Sequence, residues 1–123
     1  DARRAAADFY DNTFAANPNI ITPFRAAYSH HVFHQYTLQV KNVNRDTVQE
    51  KLAEKGIPSM IYYPVSSHKQ KMLEEFGGAD YDLPTTDFLN TCVISLPIHT
   101  ELTTEELQYI SENVNQIIDQ LSK

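Results

Sequence analysis

Side chains alternate between two faces along positions 32–41. Val32, His34, Tyr36, Leu38 and Val40 share one face; Phe33, Gln35, Thr37, Gln39 and Lys41 share the other. A period of two predicts a strand with one half-buried face. Such a strand needs neighbours for its backbone N–H and C=O groups and a cover for its apolar face. The rest of the chain must therefore supply other strands and amphipathic helices.

The helices are readable from spacing and from their ends. Ala2–Ala16 reads as a helix with Ala2, Ala6, Phe9, Thr13 and Ala16 along one face, Tyr10 and Phe14 beside it, and Asn17-Pro18-Asn19 as the stop. Ile20–His31 has no clear period. Asn44 is placed to cap a helix through Lys55, with Val48 and Leu52 inward and Gly56 at the left-handed end. Pro58–Tyr63 reads as a second strand. Ser67-His68-Lys69-Gln70 fits a capping box opening a helix with Met72, Leu73 and Phe76 as its apolar positions, ended by Gly77-Gly78. Pro84 starts a short helix to about Asn90, and Thr91–Leu96 reads as a third strand. Thr103-Thr104-Glu105-Glu106 caps a last helix striped by Leu107, Ile110, Val114, Ile117 and Leu121. The expectation is an α+β sandwich: a small three-stranded sheet with helices largely on one face. It forms a single domain over 1–123, with 1–17 as a linking helix and 32–121 as the sheet-and-helix core.

Length and composition agree with this. A chain of 123 residues has room for one core without staples. Its 41% hydrophobic and 21% charged content is that of a globular domain. The net charge of −6, with no basic cluster, argues against a nucleic-acid or anionic-membrane partner. No apolar run approaches the ~20 residues of a membrane span. The lone cysteine, Cys92, allows no internal disulfide, so a cytoplasmic setting is expected; in its apolar run it reads as a small core residue. The chain opens at Asp1 in a helical pattern, as a piece of something longer would.

A complete set of catalytic groups is not visible. The three glycines sit at helix ends, so no phosphate-binding loop is present. His30, His31 and His34 lack metal-ligand spacing. No serine stands in a nucleophile elbow. Lys41, Lys51, Lys55, Lys69, Lys71 and Lys123 lie in polar surroundings, not in the dry setting that covalent lysine catalysis needs.

Several runs taken in order do resemble a known family. They are His34-Gln35-Tyr36-Thr37-Leu38-Gln39-Val40, Arg45-Asp46, Leu52 to Gly56-Ile57-Pro58, and Ile61-Tyr62-Tyr63-Pro64 with His68 and Gln70 following. Leu83-Pro84 and Val93-Ile94-Ser95-Leu96-Pro97-Ile98-His99 complete the series. Together they look like the C-terminal, small domain of the DegT/DnrJ/EryC1/StrS sugar aminotransferases, which are fold type I enzymes dependent on pyridoxal phosphate. The resemblance runs from Arg3 to Leu121. It implies a homodimeric parent whose N-terminal domain carries the Schiff-base lysine and the cofactor. This chain alone would then neither transaminate nor hold pyridoxal phosphate tightly. It also implies that Tyr62, Tyr63, His34 and His68 face a nucleotide-sugar substrate, as one wall of the cleft. Family members often have a His-Tyr pair where Tyr62-Tyr63 stand, so a charged role at Tyr62 is in question. Each of the four also has a purely structural reading, as a core or surface tyrosine, a sheet-edge histidine or a helix-start residue. A free-standing α+β binding module and a dehydratase of the same family are the alternatives.

Overall fold

A computed structural model of the chain describes the backbone of residues 1–123 and every side chain except that of Ala79. The first helix, α1 (Ala2–Phe14), leads to a two-residue strand β1 (Ile20–Ile21) and then to β2 (Tyr36–Val40). Helix α2 (Arg45–Glu54) follows. Three short 3-10 turns span Ser67–Lys69, Lys71–Phe76 and Gly78–Asp80. Helix α3 (Pro84–Cys92) runs directly into β3 (Val93–Leu96), and α4 (Thr104–Leu121) ends the order. The sheet order is β1-β2-β3, antiparallel throughout, with Ile20 opposite Val40 and Leu38 opposite Ile94.

The core forms where the inward face of β2 meets the helices. Tyr36, Leu38 and Val40 are buried while Thr37 and Gln39 are half-covered. They join one cluster with Tyr10 and Phe14 of α1, Val48 and Leu52 of α2, and Leu107, Ile110, Val114, Ile117 and Ile118 of α4. The expected stripe on α4 is in place as far as Ile117; Ile118 joins it in the core, and Leu121 packs against it half-buried. On α1 the buried residues are Ala6, Ala7, Tyr10 and Phe14, while Ala2 and Ala16 are exposed. The two large rings turn the helix so that they, and not Phe9, enter the core. The Tyr10 hydroxyl donates to the Pro97 carbonyl at 3.0 Å, and that of Tyr36 to Asp11 Oδ1 at 2.6 Å, so neither ring buries an unpaired polar atom.

The helix ends follow the expected chemistry where the helix is long. Asn44 accepts from the Thr47 N–H. At the other end of α2, Gly56 has φ +70° and the Ile57 N–H reaches back to the Leu52 carbonyl at 2.9 Å, closing the turn that stops the helix. Thr103 and Glu106 form a reciprocal capping box on α4 (3.2 and 2.8 Å). The N–H of Thr103 on the Glu106 carboxylate holds that carboxyl below its usual 4.5. A lowered native pKa means stability that is present above the ordinary value and lost as pH falls through the native one. Glu106→Gln, which keeps the shape and removes the titrating charge, should therefore be less stable than the parent at pH 7, with the difference shrinking once Glu106 is protonated. Thr103→Ala leaves that N–H in place and removes the hydroxyl that caps the Glu106 N–H, and should cost about 1 kcal/mol at either pH. Urea titrations at neutral and acid pH check both, and a Glu106→Gln difference that does not shrink at acid pH would refute the coupling.

Four expectations are corrected. The strand placed at 32–41 is only Tyr36–Val40, because Phe33 has φ +47°. That left-handed residue breaks the alternation: Phe33 is buried, while Val32 and His34 are exposed. Pro58–Tyr63 is not a strand; Met60 alone pairs, with Ser95. Pro58 and Pro64 lack the N–H groups that a longer ladder would use. The irregular stretch contains a strand instead, Ile20–Ile21. The helix expected after Ser67 is a series of 3-10 turns. Gln70 is extended (φ −74°, ψ 132°) and interrupts any helix there, no capping box forms, and Met72 and Phe76 are exposed. A boundary moves too: Thr91 and Cys92 end α3 and do not start β3. Cys92 is buried, its thiol pushed up by burial, as suits a small core residue.

Candidate functional site

Three of the four predicted residues, His34, Tyr62 and Tyr63, gather around one corner, where the chain leaves α2, touches β3 at Met60 and turns at Pro64. The Met60–Ser95 bridge (3.0 and 2.8 Å) attaches this corner to the sheet. Beyond it Tyr62 is 43% exposed and Tyr63 68%, their rings edge to face with centroids 6.1 Å apart. Alternation would have sent one inward. Neither goes in, because the segment is not a strand.

Two shallow concavities meet at Tyr62. The first, of about 200 Å³, is lined by His34, Gln35, Ser59, Tyr62 and Ser95, with Pro58 and Pro97 at its sides. His34 reaches it because Phe33, one residue earlier, turns into the core. The second, of about 230 Å³, has Tyr62 and Tyr63 on one side and Thr86, Leu89 and Asn90 of α3 on the other. Three of the four candidates, His34, Tyr62 and Tyr63, thus line adjoining hollows, although 28 positions separate His34 from Tyr62.

His68 is set apart. It is 8% exposed and lines a neighbouring hollow with Leu73, Phe76, Tyr81 and Leu83. Its Nε2 is shut from water without a hydrogen-bond partner, 3.5 Å from Asp87 Oδ1. Lys69 Nζ reaches the other oxygen of Asp87 at 2.7 Å. Asp87 and Asn90 were not singled out by residue in the sequence. Their i, i+3 spacing on the helix expected after Pro84 is the signal that places them on one face.

The hollows offer hydroxyls, an imidazole, an amide and aromatic faces. That set suits a polyhydroxylated ligand and a flat ring better than it suits acid–base chemistry. Among the described residues no group of three His, Cys, Asp or Glu side chains could hold a metal. Residues 1–115 match the DegT/DnrJ/EryC1/StrS aminotransferase family. The chain belongs to this family. Among its relatives is the UDP-N-acetyl-3-dehydro-alpha-D-glucosamine 3-aminotransferase of Acidithiobacillus ferrooxidans, 36% identical over 96% of this chain and 31% of that protein. The dTDP-3-amino-3,6-dideoxy-alpha-D-galactopyranose transaminase of Aneurinibacillus thermoaerophilus is 34% identical over 81% of this chain and 26% of its own length. In three dimensions the chain superposes on NtdA from Bacillus subtilis, crystallised with bound cofactor PMP. The TM-score is 0.85 at 28% identity, covering 97% of this chain and 28% of that one. The chain thus spans about a quarter to a third of the family members it matches. The α+β architecture expected from the sequence is the one this family places in that third.

No helix among the described residues is long and apolar enough to cross a membrane.

Proposed function

We propose that this chain is the C-terminal domain of a pyridoxal-phosphate aminotransferase acting on a keto-sugar nucleotide, and that it forms one wall of the substrate cleft. The observation that carries the reading is the convergence of His34, Tyr62 and Tyr63 on adjoining hollows in a chain of this family. The rings of Tyr62 and Tyr63 would cover flat or apolar parts of the ligand and exclude water. His34, Gln35 and the serines would donate to or accept from its hydroxyl and phosphate oxygens. The substrate class rests on the two relatives named for their nucleotide-sugar substrates.

The residues of this chain do not fit the cofactor by themselves. All six lysines are exposed, so none has the desolvated setting of a Schiff-base lysine. Pyridoxal phosphate, which supplies the electron sink for transamination, would be held by the rest of the parent. So would the reacting lysine. Large exposed apolar side chains support a missing neighbour: Phe24 is 86% exposed, Tyr28 94% and Phe76 75%.

The test is Tyr63→Ala in the full-length parent. The KM for the sugar nucleotide is expected to rise about tenfold, the effect of losing one aromatic contact. The cofactor's absorbance should not change. An unaltered KM would remove Tyr63 from the wall.

A further inference from the structure

The Met60–Ser95 bridge ties the near side of the tyrosine corner to the sheet, but Tyr62 and Tyr63 beyond it are exposed and in no strand, so their far side needs another support. Two side chains of α3 provide it. Asn90 Nδ2 donates to the Pro64 carbonyl at 3.0 Å, gripping the backbone directly after Tyr63. One turn earlier, Asp87 accepts from Lys69 Nζ at 2.7 Å, with the buried His68 ring against its second oxygen at 3.5 Å. Positions 87 and 90 lie on one face of the helix, and that face looks at the corner. The anchor is a firm one, because α3 continues without a break into β3. The short turns at 67–69 and 71–76 add little of their own: between them Gln70 Nε2 reaches the Val65 carbonyl only at 3.5 Å. Each has its own i to i+3 bonds, and the second buries no side chain.

We propose that Asp87 and Asn90 are positioning residues which set the orientation of Tyr62 and Tyr63, with His68 as the buried filler beneath the grip. Neither residue need touch a ligand for this. The proposal rests on the reading of the two tyrosines as a cleft wall. It adds that the wall's geometry is decided from behind, by one helical turn that shares a rigid connection with the sheet. The geometry also separates the roles within the set. Tyr62 and Tyr63 face solvent, whereas His68 faces Asp87 and is closed off from the hollow that His34 lines.

The experiment uses this chain labelled with 3-fluorotyrosine, its seven signals assigned by single Tyr→Phe changes. Asn90→Asp keeps the shape and removes the donor; Asp87→Asn keeps the shape and removes the charge. In each variant the Tyr62 and Tyr63 signals are expected to shift and broaden. Signals from the core rings Tyr10 and Tyr36 should stay where they are. Amide exchange at Lys69 and Gln70, whose N–H groups bond to Ser66 and Ser67, should quicken about fivefold, as the loss of one hydrogen bond would bring. Unmoved Tyr62 and Tyr63 signals in both variants would overturn the proposal. So would a joint shift of all seven, which would mark a general loss of structure. These spectra need no ligand. A failed clamp therefore leaves the Tyr63→Ala kinetics to be read separately, and a failed cleft reading leaves the clamp standing.

Discussion

Phe33→Ala should lower the unfolding free energy by about 3–5 kcal/mol, the range for deleting a buried aromatic ring. Phe33 is 1% exposed and is the only buried side chain between Ile20 and Tyr36. It packs at a tilt against His31 (centroids 4.3 Å apart), lies 6.1 Å from Tyr36 between ring centroids, and has the Arg25 guanidinium over its face at 4.6 Å. Arg25 in turn pairs with Asp8 and Asp11 of α1 at 2.8 and 2.6 Å. One ring therefore pins a 14-residue connection to the first helix. It does so at a backbone angle of φ +47° that a non-glycine residue seldom adopts. Its removal takes away a large share of the 5–15 kcal/mol typical of a whole domain. Hydrogen exchange should show residues 22–35 opening first, His34 among them. Urea unfolding measures the total; a loss below about 1 kcal/mol would show that the connection is held by other contacts.

The second large effect is alkaline. Tyr10 and Tyr36 are both 0% exposed, and burial raises each phenol well above its usual 10.0; at Tyr36 the bond to Asp11 raises it further. The native state thus keeps both protons at pH values where the unfolded chain has lost them. A raised native pKa means stability that is complete below the unfolded value and is lost as pH rises. The slope is about 1.4 kcal/mol per pH unit for each group. Unfolding free energy should accordingly begin to fall near pH 10.0, the slope approaching about 2.7 kcal/mol per unit roughly one unit higher. Tyr36→Phe should halve that slope. Denaturant titrations from pH 9 to 11.5 test this, and an unchanged slope in the variant would refute the assignment to Tyr36.

Under the proposed function, both effects bear on the shape of the hollow that His34 lines. The rings that hold α1 to β2 also fix the start of β2, and His34 is only two residues before it. Stability and the shape of the hollow are therefore linked through the same short segment. The corner at Tyr62 and Tyr63 depends on a different support, α3, and should respond separately to mutation.

Local chemistry made much of this fold readable in advance. Asn44, Gly56 and the Thr103/Glu106 pair act within one or two turns of themselves, so their residue types suffice to place the ends of α2 and α4. The stripe on α4 is likewise a property of spacing alone. The family was legible because its runs stand in a fixed order along most of the chain, from His34–Val40 to Val93–His99.

Tertiary structure decided the rest. Whether Phe33 continued a strand or broke it depended on a ring competing for the core, against Tyr10, Phe14 and Tyr36, and spacing carries no record of that contest. Pro58–Tyr63 had the residue types of a strand, but pairing also needs a neighbour with free N–H and C=O groups, and β3 offered one residue's worth. Tyr62 and Tyr63 consequently share the surface, where alternation would have divided them. His68 lies under α3 because Asp87 and Lys69 meet there, a contact across 18 positions that no local pattern announces. The sequence alone determined the four α-helices, the caps of α2 and α4, and the family. Which side chains line the two hollows, and what holds them there, was settled by contacts between elements, because those depend on which groups compete for the same buried space.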